Sequence, residues 1–240
     1  MHVLFLSFVV LTATATDAER ADTSAPKRVL ICTGEDHPGH VWKLTAPALK
    51  DLVAEDRRMA VEVNEDLAFL RSPKLHEYDV VVMHFRNLNP QVPGREGYEN
   101  LQRFVSEGGG LVLVHAACAA FREFSDDFVK LAGRTWDFKS SKHGKVVEFG
   151  VEIVDHEHPI TKELHSFKTV DELYYDLGGE TPISVLATAR FDGEDHPIAF
   201  VLTCGKGRVF HSPLGHDVEA LSAAAKLFRR GTAWAAGLSP

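Results

Sequence analysis

Cysteine is scarce: Cys32, Cys118 and Cys204 are the only three in the chain. An odd number cannot be fully paired within one chain, so no disulfide framework organises the fold. No CxxC pair occurs, and each cysteine lies among apolar residues, the setting of a buried structural thiol. Basic runs are also missing. Lys and Arg are scattered and the net charge is −8, which excludes the electrostatic footprint of a nucleic-acid partner. Beyond the amino terminus no apolar stretch reaches membrane-spanning length. There is no N-x-[ST] sequon.

What is present fits one large α/β domain. A chain of 240 residues buries enough surface to need no covalent staples. Residues 1–15 read as a signal peptide: Val3 to Leu11 is apolar but too short to span a bilayer, and Ala13-Thr14-Ala15 supplies a small-x-small cleavage site, with Ala18 as a second candidate. Residues 16–26 are polar and Ala-rich, a disordered lead-in. The domain is expected over 27–238, in an exported protein of the periplasm or the extracellular space, with no membrane contact after cleavage.

Strand and helix signals alternate through the first half. Arg28–Cys32, Ala60–Val63, Asp79–Met83 and Leu111–Val114 are short apolar runs of the kind buried in a parallel sheet. Between them, Thr45 can cap a helix carrying Leu49, Leu52 and Val53, and Glu96–Glu107 places Tyr98, Leu101, Phe104 and Val105 at helical spacing. This βαβαβ pattern predicts a doubly wound, mostly parallel sheet flanked by helices. The second half adds strands over 145–154, 169–177, 184–189 and 197–202, a Gly205-Lys206-Gly207 turn into Val209–His211, and a closing helix over 218–235.

Thirteen histidines are the unusual count, and ligands in such folds bind beyond the carboxyl ends of the strands. His37 and His40 follow the first strand, His84 and Arg86 the third, His115 the fourth, and His216 with Asp217 the last. Four strand ends therefore deliver imidazoles to one edge. His40, His84, His115 and His216 form a candidate ligand set for a divalent metal, zinc foremost. The same groups suit proton transfer beside a carbonyl, with His115, Glu172, His216 and Asp217 as candidate catalytic residues. Trp42, His84, Arg86 and Tyr174 are candidate substrate contacts; Trp42 is either a stacking platform for a sugar or a half-buried anchor. For each histidine taken singly, a hydrogen-bonded structural role competes. His76, His156, His158, His165 and His196 read as solvated or loop residues, and His143 as a loop residue within an irregular segment, 134–150, that could form a lid.

Several motifs occur together. Gly108-Gly109-Gly110-Leu111-Val112-Leu113-Val114-His115-Ala116-Ala117, Asp155-His156-Glu157-His158-Pro159-Ile160-Thr161, Asp171-Glu172-Leu173-Tyr174, Gly205-Lys206-Gly207-Arg208-Val209-Phe210, Leu214-Gly215-His216-Asp217 and Trp234-Ala235-Ala236-Gly237 occur in that order. The set resembles the ThuA-like (trehalose utilisation) family over 27–237. The resemblance implies a fold similar to class I glutamine amidotransferases, flavodoxin-like in its parallel part. At the position of their nucleophilic cysteine this chain has His115. Cys118 follows three residues later, on the next helix, with no base beside it, so glutamine hydrolysis is disfavoured. The resemblance also implies a small carbohydrate ligand, of the trehalose or 3-keto-sugar kind, and an isomerisation, epimerisation or elimination. A non-catalytic carbohydrate-binding or scaffold protein and a metal-dependent hydrolase are the competing expectations.

Overall fold

A computed structural model describes residues 25–240. The leader and most of the lead-in expected before Pro26 lie outside the described residues. Nine strands form one sheet in the order β2-β1-β3-β4-β9-β8-β7-β5-β6. β1 (Lys27–Cys32), β2 (Met59–Asn64), β3 (Val80–Met83), β4 (Gly110–Val114) and β9 (Gly207–Ser212) are parallel neighbours. β8 (Glu194–Cys204), β7 (Ser184–Phe191), β5 (Lys142–Ile153) and β6 (Phe167–Tyr175) continue the sheet antiparallel. The sheet is thus evenly mixed, four parallel pairings followed by four antiparallel ones.

The parallel strands are apolar on both faces because both faces are covered. Side chains alternate across a strand, and Val80 and Val82 pack with α1 (Trp42–Ala54) and α5 (Ala225–Ala235) through Leu49, Val53, Leu227 and Phe228. Val81 and Met83 face the other way, onto Tyr98, Leu101 and Phe104 of α2 (Gly94–Glu107) and Phe128 of α3 (Ser125–Ala132). Among the described residues no helix is long and apolar enough to cross a membrane.

Four expectations need correction. α1 begins at Trp42, and the Thr45 hydroxyl, already inside it, bonds back to the Val41 carbonyl instead of capping. The closing helix breaks at Ala224, whose ψ of 12° is non-helical, giving α4 (Val218–Ala223) and α5. The segment over 134–150 is less irregular than expected, because its second half is the start of β5, paired with β6. Cys118 lies in a 3-10 turn, His115–Ala119, and not on an α-helix.

Candidate metal centre

The carboxyl ends of β1, β3, β4 and β9 open onto one pocket. β4 ends at Val114, and His115 turns the chain sharply with φ +50, a left-handed conformation unusual for a side-chain-bearing residue. Such strain persists only where the surroundings enforce it. Here the His115 ring is almost fully buried, and its Nδ1–H donates to the Pro213 carbonyl at 2.9 Å. That bond fixes the tautomer and turns the Nε2 lone pair into the pocket.

β6, at the far edge of the sheet, reaches over the same pocket and carries Asp171, Glu172 and Tyr174. Asp171 is fully buried, and its carboxylate accepts N–H bonds from Glu172 (2.7 Å), Gly215 (2.7 Å) and His216 (3.2 Å). One side chain thereby ties β6 to the loop after β9. Gly215 must be glycine there: its φ is +105, and a Cβ would lie 2.8 Å from Leu221.

His40, His115, Glu172 and His216 each present one atom to a common centre, all within 4.8 Å of one another. His115 Nε2 lies 3.1 Å from His40 Nε2 and 3.4 Å from His216 Nδ1. Glu172 Oε2 lies 3.3 Å from His216, 3.6 Å from His115 and 4.0 Å from His40. A tetrahedron of donors around an ion at about 2.0–2.1 Å has edges of ~3.4 Å, and these five spacings bracket that value. The other Glu172 oxygen, Oε1, sits 2.7 Å from His143 Nδ1.

The electrostatics agree with a carboxylate held among imidazoles. Burial opposes ionisation of Glu172, but His115, His216 and His40 outweigh it and hold its carboxyl well below the usual range. Glu172 in turn raises the pKa of His216. Burial lowers that of His40. Beyond the cluster, a void of about 270 Å³ is bordered by Arg86, Trp136, His143 and Tyr174. Such a set can bind a divalent cation and present it to a small molecule, and it lies near the lower size limit of ligand sites.

The structure brings His40, His115, Glu172 and His216 together and leaves other expected residues aside. His84 is outside the converging set: its Nδ1 is 3.2 Å from the Thr33 hydroxyl, and burial pushes its pKa down to about 4. It is a wall of the pocket, and Glu172 takes the fourth place expected for it. Asp217 caps α4, accepting the Ala220 N–H at 2.9 Å; it lies outside the converging set, and its charge helps to raise the pKa of His216 after that of Glu172 and Asp171. Trp42 borders the pocket, with its Nε1–H donated to Asp36 at 2.8 Å. Tyr174 is buried, its ring 4.6 Å from that of His115, and burial raises its pKa. Cys118 is buried without a base, its thiol pushed up to about 12. His196 is a buried residue of β8, not a loop residue.

Sequence reasoning missed four contributors. Asp171 was visible only as the neighbour of Glu172. His143 sits on β5 opposite Tyr174, a placement that depends on strand register. Trp136 stands 5.1 Å from Tyr174 and forms an aromatic wall. Glu35 accepts the backbone N–H groups of Arg86 (3.1 Å) and Leu88 and so shapes the loop after β3. The Gly34-Glu35-Asp36 run gave the only hint of it.

The sequence model of the family described as ThuA, trehalose utilisation, matches residues 28–235. No curated protein matches the chain. Among solved structures, a ThuA-like protein from Parabacteroides merdae superposes with a TM-score of 0.75 at 24% identity, covering 89% of this chain and 91% of that one. A second, from Bacteroides uniformis, gives 0.72 at 21% identity, covering 92% and 95%. A cold-adapted β-galactosidase from Rahnella sp. R3 matches at 0.61 and 16% identity, over 86% of this chain but 31% of that one. These likenesses show a shared fold.

Proposed function

Because the chain belongs to the ThuA, trehalose-utilisation family, whose description points to carbohydrate metabolism, we propose that it is a metal-dependent enzyme acting on a keto-sugar or related sugar derivative. The observation that carries this reading is the convergence of three imidazoles and one carboxylate within 4.8 Å at the floor of a ligand-sized void. The donor set fits a borderline divalent ion, zinc first. When bound, such an ion polarises a carbonyl oxygen and so eases loss of a proton from the adjoining carbon. That chemistry underlies isomerisation, epimerisation and elimination alike.

The chain's own residues do the positioning. His40, His115, Glu172 and His216 would hold the ion. The Pro213 carbonyl and Asp171 orient His115 and the His216 loop. His143 holds the second oxygen of Glu172 and leaves the first facing the three imidazoles. Trp136 and Tyr174 offer faces for the apolar side of a sugar ring. Export remains part of the proposal, supported by the Val3–Leu11 run and the Ala13-Thr14-Ala15 site.

The test is elemental analysis of freshly purified protein, joined to an assay on 3-keto disaccharides and monosaccharides. Near-stoichiometric zinc, manganese or iron and turnover that both vanish in His115→Ala are expected. Metal-free protein that added metals neither bind nor activate would remove the reading. Sugar binding without turnover would instead favour a carbohydrate-binding protein.

A further inference from the structure

Arg86 is a half-buried cation bordering the void beside the metal cluster. Among the described residues its guanidinium makes no ion pair. Glu35, the acid that contacts this loop, has both carboxylate oxygens turned to backbone N–H groups, those of Arg86 and Leu88. The side-chain neighbour of the guanidinium is His37, whose Nε2 lies 3.4 Å from Arg86 Nη1.

That contact is less favourable than its distance suggests. His37 Nδ1 accepts the Gly39 N–H at 3.1 Å. In a neutral imidazole only one nitrogen accepts, so His37 cannot take both the Gly39 N–H and the Arg86 Nη1–H. With the proton on Nε2, Nε2–H and Nη1–H face each other, donor against donor. Two aimed donors with no acceptor between them are what an oxyanion satisfies, and a guanidinium matches a carboxylate or phosphate in two-point geometry. His37 is also stacked on the ligand-cluster residue His40, ring centroids 4.7 Å apart. An anion held by Arg86 and His37 would therefore sit one imidazole thickness from the proposed metal.

We propose that Arg86 and His37 form an oxyanion subsite, so that the natural substrate is an acidic sugar carrying a carboxylate or a phosphate ester next to its reacting centre. The inference rests on reading the pocket as a sugar site and adds the charge of the sugar. An anion-selecting subsite in a chain of net charge −8 is a local property of this pocket and not of the molecule's overall field.

The test uses the full chain, zinc-loaded and separately stripped with EDTA, titrated calorimetrically with glucuronate, glucose 6-phosphate and glucose. At least one of the two anions should bind roughly ten- to hundredfold more tightly than glucose, the range of a charge-assisted hydrogen bond. Preference for glucuronate identifies a carboxylate and preference for glucose 6-phosphate a phosphate. Arg86→Gln should erase the preference and Arg86→Lys should keep part of it, both with wild-type thermal midpoints and wild-type zinc uptake. Wild-type protein that binds neither anion more tightly than glucose, or an Arg86→Gln protein that keeps the preference, overturns the subsite. Failure of zinc uptake by the wild type would remove the metal reading alone, since the anion preference is also read in stripped protein.

Discussion

Single side chains divide here into those that touch the pocket and those that hold others in place. Asp171 is of the second kind: buried, satisfied by three backbone N–H groups, and joining strand β6, which carries Glu172, to the loop that carries His216. Asn can accept through one oxygen but not two. Asp171→Asn should therefore weaken zinc binding by about 10–100-fold, the usual effect of losing an orienting partner, as read by competition with a chromogenic chelator. His211 gives a separate, pH-linked expectation. Its ring is fully buried, donates from Nδ1 to the Ala132 carbonyl at 2.8 Å, and has its pKa lowered to about 4 by that burial. The unfolded chain binds its proton near pH 6.5, so folding stability is intact above that value. It falls as the pH drops from about 6.5 toward 4, where only the unfolded state protonates. His211→Asn keeps a donor for Ala132 and removes the titration. Denaturant midpoints measured across that window should decline less steeply in the variant, and equal slopes would contradict the assignment.

Among secondary-structure elements, the parallel strands were legible in the sequence because each is a short apolar run bounded by turn residues. The histidines after them were legible because a parallel sheet sends its strand ends to one edge. What stayed hidden depended on pairing. Glu172 could be named as a carboxylate but not placed, since only the β5–β6 hairpin carries it over the pocket. His143 belongs to the same hairpin, and its meeting with Glu172 is set by the His143–Tyr174 register. The break at Ala224 was hidden because the helical periodicity of 218–235 continues across it. A prediction at this scale concerns how α5 lies on the sheet. At Gly231 an added Cβ would fall 2.3 Å from the Phe210 ring on β9. Alanine improves intrinsic helix propensity by about 0.8–1 kcal/mol, but overpacking a rigid core costs about 1–3 kcal/mol. The clash should win, and Gly231→Ala should lower the thermal midpoint; an unchanged or raised midpoint would show that α5 can shift freely.

Across the whole molecule, the proposed ligands come from the β1–α1 loop, the end of β4, strand β6 and the β9–α4 loop. The unfolded chain has no such site, so an ion held there would bind the native state alone and stabilise it by mass action. At a free zinc concentration 100 times Kd the gain is about 2.7 kcal/mol, or roughly 5–10 °C in the thermal midpoint of a domain this size. Scanning calorimetry should show that rise in the wild type and its absence in Glu172→Gln and His115→Ala. A rise of similar size in all three would place zinc elsewhere.

The spacing of those donors along the chain has a temporal meaning. His40 and His115 are separated by 75 positions, and His115 and His216 by 101. The last donor follows the last strand, which must slot in between β4 and β8. A chain emerging from its amino terminus therefore passes most of its synthesis with an incomplete coordination sphere. On the metal reading, capture of an ion would mark the moment the final strand docks, so a tightly held metal would certify a finished molecule and leave truncated or half-assembled ones empty-handed.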